Sequence, residues 1–241
     1  MNRLVWLPSL TEDPYRNMAR DVALMESGLG PAWLRFYRWT KPAVSIGFSQ
    51  QPSAIPGWPE CDFPEFVRRP TGGGVVYHQG ESDFPDPSTQ FTYSAFFSAE
   101  TDWGKLTSTE FYCRLHHRLA CGLKAANPSQ AIALVKCADE RNPGVCFQSP
   151  VPADLICETS GQKLAGAGLR RTRHGILCQG QIQIPKGWTF SPATWIESWS
   201  DEFAVEKQND QRAIIPDSIL LDLEKQLSSP LWLEKRKRTQ K

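Results

Sequence analysis

The feature of the sequence that first suggests chemistry is a glycine triplet, Gly72–Gly74, between two runs of strand-forming residues. Arg69 and Thr71 precede the triplet, and His78 follows it. Consecutive glycines let the backbone approach a ligand closely, and their N–H groups can converge on an anionic oxygen. The stretch has neither the Gly-Lys-Ser/Thr ending of a P-loop nor the spacing of a dinucleotide-binding fingerprint. Taken alone, the triplet is explained more simply by a hairpin or bulge that needs positive φ.

A second candidate segment brings Lys163 into a run of small residues that includes Gly166, Ala167 and Gly168. Small side chains leave room for a ligand against the backbone, and an ammonium group can stabilise a developing oxyanion. Cys146 lies upstream as a candidate nucleophile. From residue types alone, a solvated lysine at a strand end and a buried, inert thiol are the simpler interpretations.

Composition restricts the class of protein. The 241 residues carry 27 Lys and Arg against 26 Asp and Glu, so a net charge of +1 provides no field that would attract nucleic acid. Seven cysteines without a Cys-x-x-Cys pair favour free thiols in a reducing compartment and no metal site. No run approaches the roughly 18 apolar residues of a membrane span, and Pro8 interrupts the start of the chain. The sequence therefore predicts a cytoplasmic protein with no metal and no nucleic-acid or membrane partner.

Periodicity and turn residues predict the elements that position these segments. Asp13-Pro14 begins one amphipathic helix, and a capping box of Thr107 and Glu110 begins another. Pro192 and Asp217 mark two later helix starts. The mixture predicts an α+β fold with a mixed β-sheet core flanked by helices, and a helical extension, residues 191–241, packed on a domain of residues 1–190. Strands are predicted at Trp33–Trp39, Ala43–Phe48, Phe66–Arg69, Val75–Tyr77, Phe91–Phe97, Ala131–Ala138, Asp154–Glu158, Lys163–Leu169 and Ile176–Ile184.

Five ordered landmarks resemble the superfamily of lipoate-protein ligases and octanoyltransferases. Each is weak alone, but together they stand in the family's order and cover most of the chain. The Gly-Arg-Gly-Arg-type loop of the biotin-ligase branch is missing from the sequence. The landmarks are Asn17-Met18-Ala19 with Asp21, Arg35–Tyr37 with Trp39, Pro42 and Ser45–Gln50, Arg68–Gly74 with His78, Gly161–Gly166, and Gln179–Ile182.

The resemblance implies a biotin/lipoate ligase-like catalytic domain over residues 1–190, with an acyl chain in a tunnel beneath the glycine loop. The sequence resembles the Firmicute-type octanoyltransferases most, and these enzymes have their nucleophilic cysteine at the position of Cys146. Lys163 would then lower the pKa of that thiol and polarise the acyl carbonyl. Cys178 is the second choice, because the other transferase class has its cysteine in a later strand. The residues implied to bind substrate are Arg69, Thr71, Gly72, Gly73, Gly74, His78, Asp154, Gly166, Ala167 and Gly168.

The implied function is octanoyl or lipoyl transfer without a cofactor. Octanoyl acyl carrier protein delivers the chain to Cys146 as a thioester, and a lysine of a lipoyl domain or of the glycine-cleavage H protein removes it as an amide. Two alternatives remain open: a lipoate-protein ligase that uses ATP and Mg, and a non-catalytic acyl-binding protein. Acidic carrier domains are the expected partners, with Arg170, Arg171, Arg173 and the basic end, Lys235–Arg238, as candidate docking residues.

Overall fold

The computed structural model describes residues 2–57, 65–80, 90–136, 150–209 and 214–233. The strands are β1 (Asn2–Glu12), β2 (Ala32–Trp39), β3 (Ala43–Ile46), β4 (Phe66–Arg68), β5 (Val76–His78), β6 (Gln90–Ser98), β7 (Ile132–Leu134), β8 (Leu155–Cys157), β9 (Lys163–Thr172), β10 (Gly175–Gln183) and β11 (Phe203–Lys207). The α-helices are α1 (Pro14–Glu26), α2 (Asp102–Lys105), α3 (Ser108–Ala126), α4 (Pro192–Glu197), α5 (Asp217–Leu227) and α6 (Pro230–Leu233).

Two β-sheets form the framework. The larger one has eight strands in the order β11-β1-β2-β6-β10-β9-β8-β7, and the smaller one has the order β4-β3-β5. In the large sheet β1 pairs in parallel with β11 and β2, whereas the pairings from β2 to β7 are antiparallel. The predicted α+β class with a mixed sheet is therefore confirmed.

Local sequence signals account for the two long helices at the site. The Asp13 side chain caps α1 by accepting a hydrogen bond from the N–H of Tyr15 at 3.0 Å. Thr107 and Glu110 cap α3 reciprocally, as the capping box predicts. Both helix starts predicted from the sequence are confirmed.

The two faces of the large sheet bury separate cores. One face packs against α2, α3 and α4, where the Phe97 ring stacks on Trp103 at 4.9 Å and on Trp199 at 5.6 Å between ring centroids. The other face packs against α1 and α5, and Val67 of the small sheet joins that core. The small sheet thus lies on the α1 side and covers part of the large sheet there.

The glycine loop, Gly72–Gly74, bridges the two sheets. The N–H of Gly72 donates to the carbonyl of Leu169 in β9 at 3.1 Å, and the N–H of Phe48 donates to the carbonyl of Thr71 at 2.8 Å. The loop is held from the large sheet on one side and from the turn after β3 on the other.

β2 and β3 follow each other in the chain but belong to different sheets. Two features differ from the sequence-based expectations. β1 was not predicted, and its partner β11 lies inside the extension predicted to be helical, residues 191–241. That extension therefore completes the edge of the large sheet, in addition to contributing the two predicted helices α4 and α5. The division of the chain at residue 190 stays a prediction, and the basic end, Lys235–Arg238, lies outside the described residues.

No helix in the described part of the chain is long and apolar enough to cross a membrane.

Candidate active site

A cavity of about 330 Å³ lies between the two sheets, roofed by the glycine loop. Its floor is formed by β9 and β10, and one side is closed by α1 and β2. Nine of the residues predicted from the sequence to form the site line it: Arg69, Gly73, Gly74, His78, Asp154, Lys163, Gly166, Ala167 and Gly168. Of the remaining predicted residues, Thr71 and Gly72 do not line the cavity, and Cys146 lies outside the described residues.

A buried ion pair stands at one end of the cavity. Nζ of Lys163 lies 2.7 Å from Oδ2 of Asp154, and the two side chains are 4% and 0% exposed. The carboxylate is also an acceptor for the Tyr112 hydroxyl at 2.5 Å and for the N–H of Val151 at 2.7 Å. The interpretation of Lys163 as a solvated strand-end lysine is wrong, because its ammonium group is held inside the molecule.

Gly166 provides the space that the ion pair occupies. A Cβ atom at this position would lie 2.5 Å from Cε and 2.7 Å from Nζ of Lys163, and 3.0 Å from the Asp154 carboxylate. The Lys163 side chain therefore lies against the bare backbone of its own strand. Gly166 is therefore required by the lysine itself.

The glycine loop has the close approaches that only glycine permits. A Cβ at Gly168 would lie 2.1 Å from the carbonyl oxygen of Gly72, and a Cβ at Gly47 would lie 2.1 Å from that of Gly73. Gly73 itself is exposed at a φ of 96°, which L side chains rarely adopt. The positive φ expected of a hairpin or bulge is present, and the loop also roofs the cavity.

Arg69 fixes the shape of the loop from inside. Its guanidinium donates to the carbonyls of Gly72 at 3.1 Å and Gly74 at 2.8 Å, and to the backbone and hydroxyl oxygens of Ser45. The Ser45 hydroxyl in turn lies 2.6 Å from Nε2 of His78. Arg69 thus links the loop to β3 and β5.

His78 is a buried, pocket-lining histidine. Its ring stacks on Trp39 with 4.0 Å between centroids. Burial, together with the positive charge of Arg69, holds the pKa of His78 well below its ordinary value, so the ring is neutral at physiological pH. This agrees with the prediction of a lining residue.

Gln179 connects the loop to α1. Its Nε2 donates to Oδ2 of Asp21 at 2.7 Å, and its Oε1 accepts from the Thr71 hydroxyl at 2.8 Å. Asp21 is also paired with Arg35 at 2.6 Å. An amide is suited to this position because it donates and accepts at once, which a carboxylate cannot do.

None of the four cysteines in the described ranges lines the cavity. Cys113 and Cys121 are exposed on α3, and Cys157 is buried in β8. Cys178 belongs to the core on the α3 side of the sheet, next to Tyr93, and burial raises the pKa of its thiol far above the ordinary value. All four are free thiols, as predicted.

A sequence model of the lipoyl protein ligase A/B catalytic domain matches residues 13–184. The chain belongs to this family. The octanoyltransferase LipM of Halalkalibacterium halodurans is 31% identical over 190 residues, which cover 74% of this chain and 65% of that protein. LipM of Anoxybacillus flavithermus is 33% identical over 202 residues, which cover 76% of this chain and 67% of that protein. The chain spans 60% to 67% of the length of the curated relatives.

Solved structures described as lipoate protein ligases share the fold. Protein Ta0514 from T. acidophilum, solved with bound lipoic acid, superposes with a TM-score of 0.70 at 16% identity, over 97% of this chain and 100% of that one. Lipoate-protein ligase A bound with ATP superposes with a TM-score of 0.64 at 15% identity, over 97% of this chain and 98% of that one. Together with the sheet described above, these matches confirm the predicted fold class.

Several residues at this family member's site were not predicted as site residues. Gln179 and Gln181 are two residues apart in a strand, so their side chains lie on the same face of the sheet. This spacing is a sequence signal that could have identified both as site residues. Tyr112 and His116 lie one helical turn apart on α3, and no sequence signal connects them to the site. The other cavity-lining residues outside the predicted set are Met18, Tyr37, Trp39, Ser45, Gln50, Val76, Thr92, Val151 and Gly180.

Proposed function

We propose that the protein is an octanoyltransferase that carries the acyl chain on Cys146 before passing it to a lysine of an acceptor protein. The observation that carries the proposal is the buried ammonium of Lys163, placed at one end of a cavity between two sheets. The similarity to LipM octanoyltransferases supports the same reaction. A pocket of about 330 Å³ is in the range that holds small ligands.

The chemistry follows from these groups. The Cys146 thiolate attacks the carbonyl of an octanoyl thioester, and the donor thiol leaves. The ammonium of Lys163 stabilises the oxyanion that forms during the attack. An acceptor lysine then attacks the enzyme thioester as a free amine, loses a proton as the amide forms, and releases the Cys146 thiol. The two transfers conserve the acyl group and need neither nucleotide nor metal.

Chain connectivity is compatible with Cys146 as the nucleophile. Cys146 precedes Val151, a half-exposed lining residue of the cavity, by five residues. Five residues span at most about 18 Å when fully extended, so the length of the connection allows the thiol to reach the cavity. Cys178, by contrast, faces the opposite core.

We further propose an acyl carrier protein as donor and a lipoyl domain or glycine-cleavage H protein as acceptor, both docking through acidic surfaces. Arg170 lies over the Phe48 ring beside the glycine loop, and it lines a surface cleft with Arg173 and His174. Arg171 has a different role, because its guanidinium binds the carbonyls of Gly104 and Leu106. The docking surface therefore consists of Arg170 and Arg173.

The decisive experiment is intact-mass analysis after incubation with octanoyl acyl carrier protein without ATP. We expect one octanoyl adduct that is labile to hydroxylamine and maps to the Cys146 peptide, and Cys146→Ser should lose it. An adduct on Cys178 would keep the reaction and overturn the residue assignment. Product that appears only with ATP, Mg and free lipoate would favour the ligase. Binding of octanoate without either product would favour a non-catalytic acyl-binding protein.

A further inference from the structure

Two side chains of α3, one helical turn apart, hold two consecutive residues at the end of the cavity. The Tyr112 hydroxyl donates to Oδ1 of Asp154 at 2.5 Å. Nδ1 of His116 lies 2.6 Å from the carbonyl oxygen of Ala153. Tyr112 and His116 are both buried. A single helix face therefore fixes both the backbone before Asp154 and its carboxylate.

Ala153 is held in a conformation that costs free energy. Its φ is 69°, the only positive φ of a non-glycine residue among those the structure describes. Such a residue persists only where its surroundings determine it, and it tends to mark functional sites. Here its N–H donates to the carbonyl of Val135 at 2.8 Å, and His116 binds its carbonyl. The strained turn directs the Asp154 side chain towards Lys163.

The hydrogen bonds assign the state of His116. The carbonyl of Ala153 only accepts, so Nδ1 of His116 carries the proton. Nε2 then accepts from the Tyr93 hydroxyl, which lies 2.9 Å away. A neutral ring with this tautomer satisfies both contacts.

Tyr112 has a second contact, which joins Asp154 to the strand of Lys163. Its hydroxyl oxygen accepts the N–H of Ala167 in β9 at 2.8 Å. One hydroxyl thus connects the Asp154 carboxylate to β9, the strand that begins with Lys163. Tyr112 therefore sets the distance between Lys163 and Asp154, because it binds both the Asp154 carboxylate and the strand that carries Lys163.

We infer that Tyr112 and His116 are positioning residues that hold the Asp154 carboxylate, and through it the Lys163 ammonium, at the place where the acyl carbonyl is polarised. This inference rests on the proposed function. Tyr112 acts through Asp154, and His116 acts through the backbone of Ala153. Neither exchanges a proton with the substrate.

The first test compares the steady-state kinetics of Tyr112→Phe and the wild type over a range of octanoyl acyl carrier protein concentrations. Phe keeps the ring and removes only the hydroxyl, so we expect kcat to fall about 10- to 100-fold with KM unchanged. Unchanged kcat in a folded variant would overturn the inference. A rise in KM at constant kcat would overturn it too, since that result describes a substrate-binding residue.

The second test uses a conservative pair at His116. His116→Asn keeps a donor close to the place of Nδ1, whereas His116→Leu removes it. We expect Asn to retain most of kcat and Leu to lose about 10-fold or more, although both lose the Tyr93 contact. Equal losses in the two variants would mean a packing role and contradict the inference.

A third measurement does not depend on turnover and separates this inference from the proposed function. Acetic anhydride labelling of Lys163, relative to exposed Lys105 and Lys225 in the same sample, reports how firmly the ammonium is held. We expect faster relative labelling in Tyr112→Phe and His116→Leu than in the wild type and His116→Asn. Equal labelling in all four proteins would overturn the inference, whichever reaction the wild type catalyses.

Discussion

The Nζ atom of Lys163 lies 2.7 Å from Oδ2 of Asp154, and both groups are shielded from solvent. Breaking a buried ion pair by removing one partner is strongly destabilising, because the other charge is left without compensation. The pair therefore couples the stability of the fold to the chemistry of the cavity, and variants at Lys163 must be designed to separate the two.

Lys163→Met should reduce both transfer and stability. Losing an oxyanion contact costs on the order of 10²-fold in rate, and leaving the Asp154 carboxylate unpaired costs about 3 kcal/mol of unfolding free energy. Urea denaturation and a transfer assay measure the two effects. The double variant Lys163→Met/Asp154→Asn should recover most of the stability but none of the activity. Recovery of activity in the double variant would show that Lys163 is purely structural.

Gly166→Ala should reduce transfer and also lower stability. The added Cβ would lie 2.5 Å from Cε and 2.7 Å from Nζ of Lys163 and 3.0 Å from the Asp154 carboxylate, so the buried ion pair must shift. We expect the displaced ammonium to lower kcat about 10-fold and the melting temperature to fall by less than in Lys163→Met. Differential scanning fluorimetry and steady-state kinetics test this, and unchanged kcat would contradict it.

Gly73→Val should abolish acyl binding. A β-branched residue at a φ of 96° is strained by roughly 1–3 kcal/mol and would distort the roof of the cavity. Gly187→Val is a matched control, because Gly187 has a φ of 85° and open space around it, and it does not line the cavity. Calorimetric titration with octanoate should show binding by the control only. Equal octanoate binding by both variants would show that the glycine triplet has only a structural role.

The sequence predicted the parts of the fold that depend on local rules. The Asp13 cap, the Thr107 and Glu110 capping box and the positive φ in the glycine triplet are each decided within a few residues. The pairing of β1 with β11 joins segments some 200 residues apart, and periodicity contains no information about such a partner.

The site residues divide into those that the sequence indicated and those that it did not. Lys163 and the glycine loop were found through the resemblance of the ordered landmarks, because their residue types alone favoured a solvated lysine and a hairpin or bulge. Tyr112 and His116 were missed because a tyrosine and a histidine on a helix are ordinary until the packing of α3 against the sheet is known. Cys146 lies outside the described residues, and its role stays a prediction.

Charge reversal of the proposed docking surface should impair the carrier substrate selectively. The double variant Arg170→Glu/Arg173→Glu should raise KM for octanoyl acyl carrier protein about 10-fold or more and leave transfer from octanoyl pantetheine unchanged. Lys225→Glu is the control, because Lys225 is exposed on α5. Its neighbour Glu224 pairs with Arg16 in the first turn of α1, whereas the cleft is lined by Met25 and Glu26 in the last turn. An equal loss with both substrates would place the defect in the cavity instead of the docking surface.

Stability should fall as the pH drops from about 7 to about 5, because two buried histidines resist protonation. Burial lowers the pKa of His116 from 6.5 to about 4 and that of His78 well below 6.5, so only the unfolded chain takes up these protons in that range. The contribution of the two histidines to the free energy of unfolding is complete above their pKa in the unfolded chain. It is lost as the pH falls towards their pKa in the folded protein. His116 should cost about 2 kcal/mol by pH 5, so the wild type should lose about 2 kcal/mol more than His116→Asn over this range, and His78 adds to the loss in both proteins. Carboxylates such as Glu12, whose pKa is lowered below 4.5, contribute only under more acidic conditions. Urea unfolding at the two pH values measures the difference, and an equal pH dependence in both proteins would show that folding does not lower the pKa of His116.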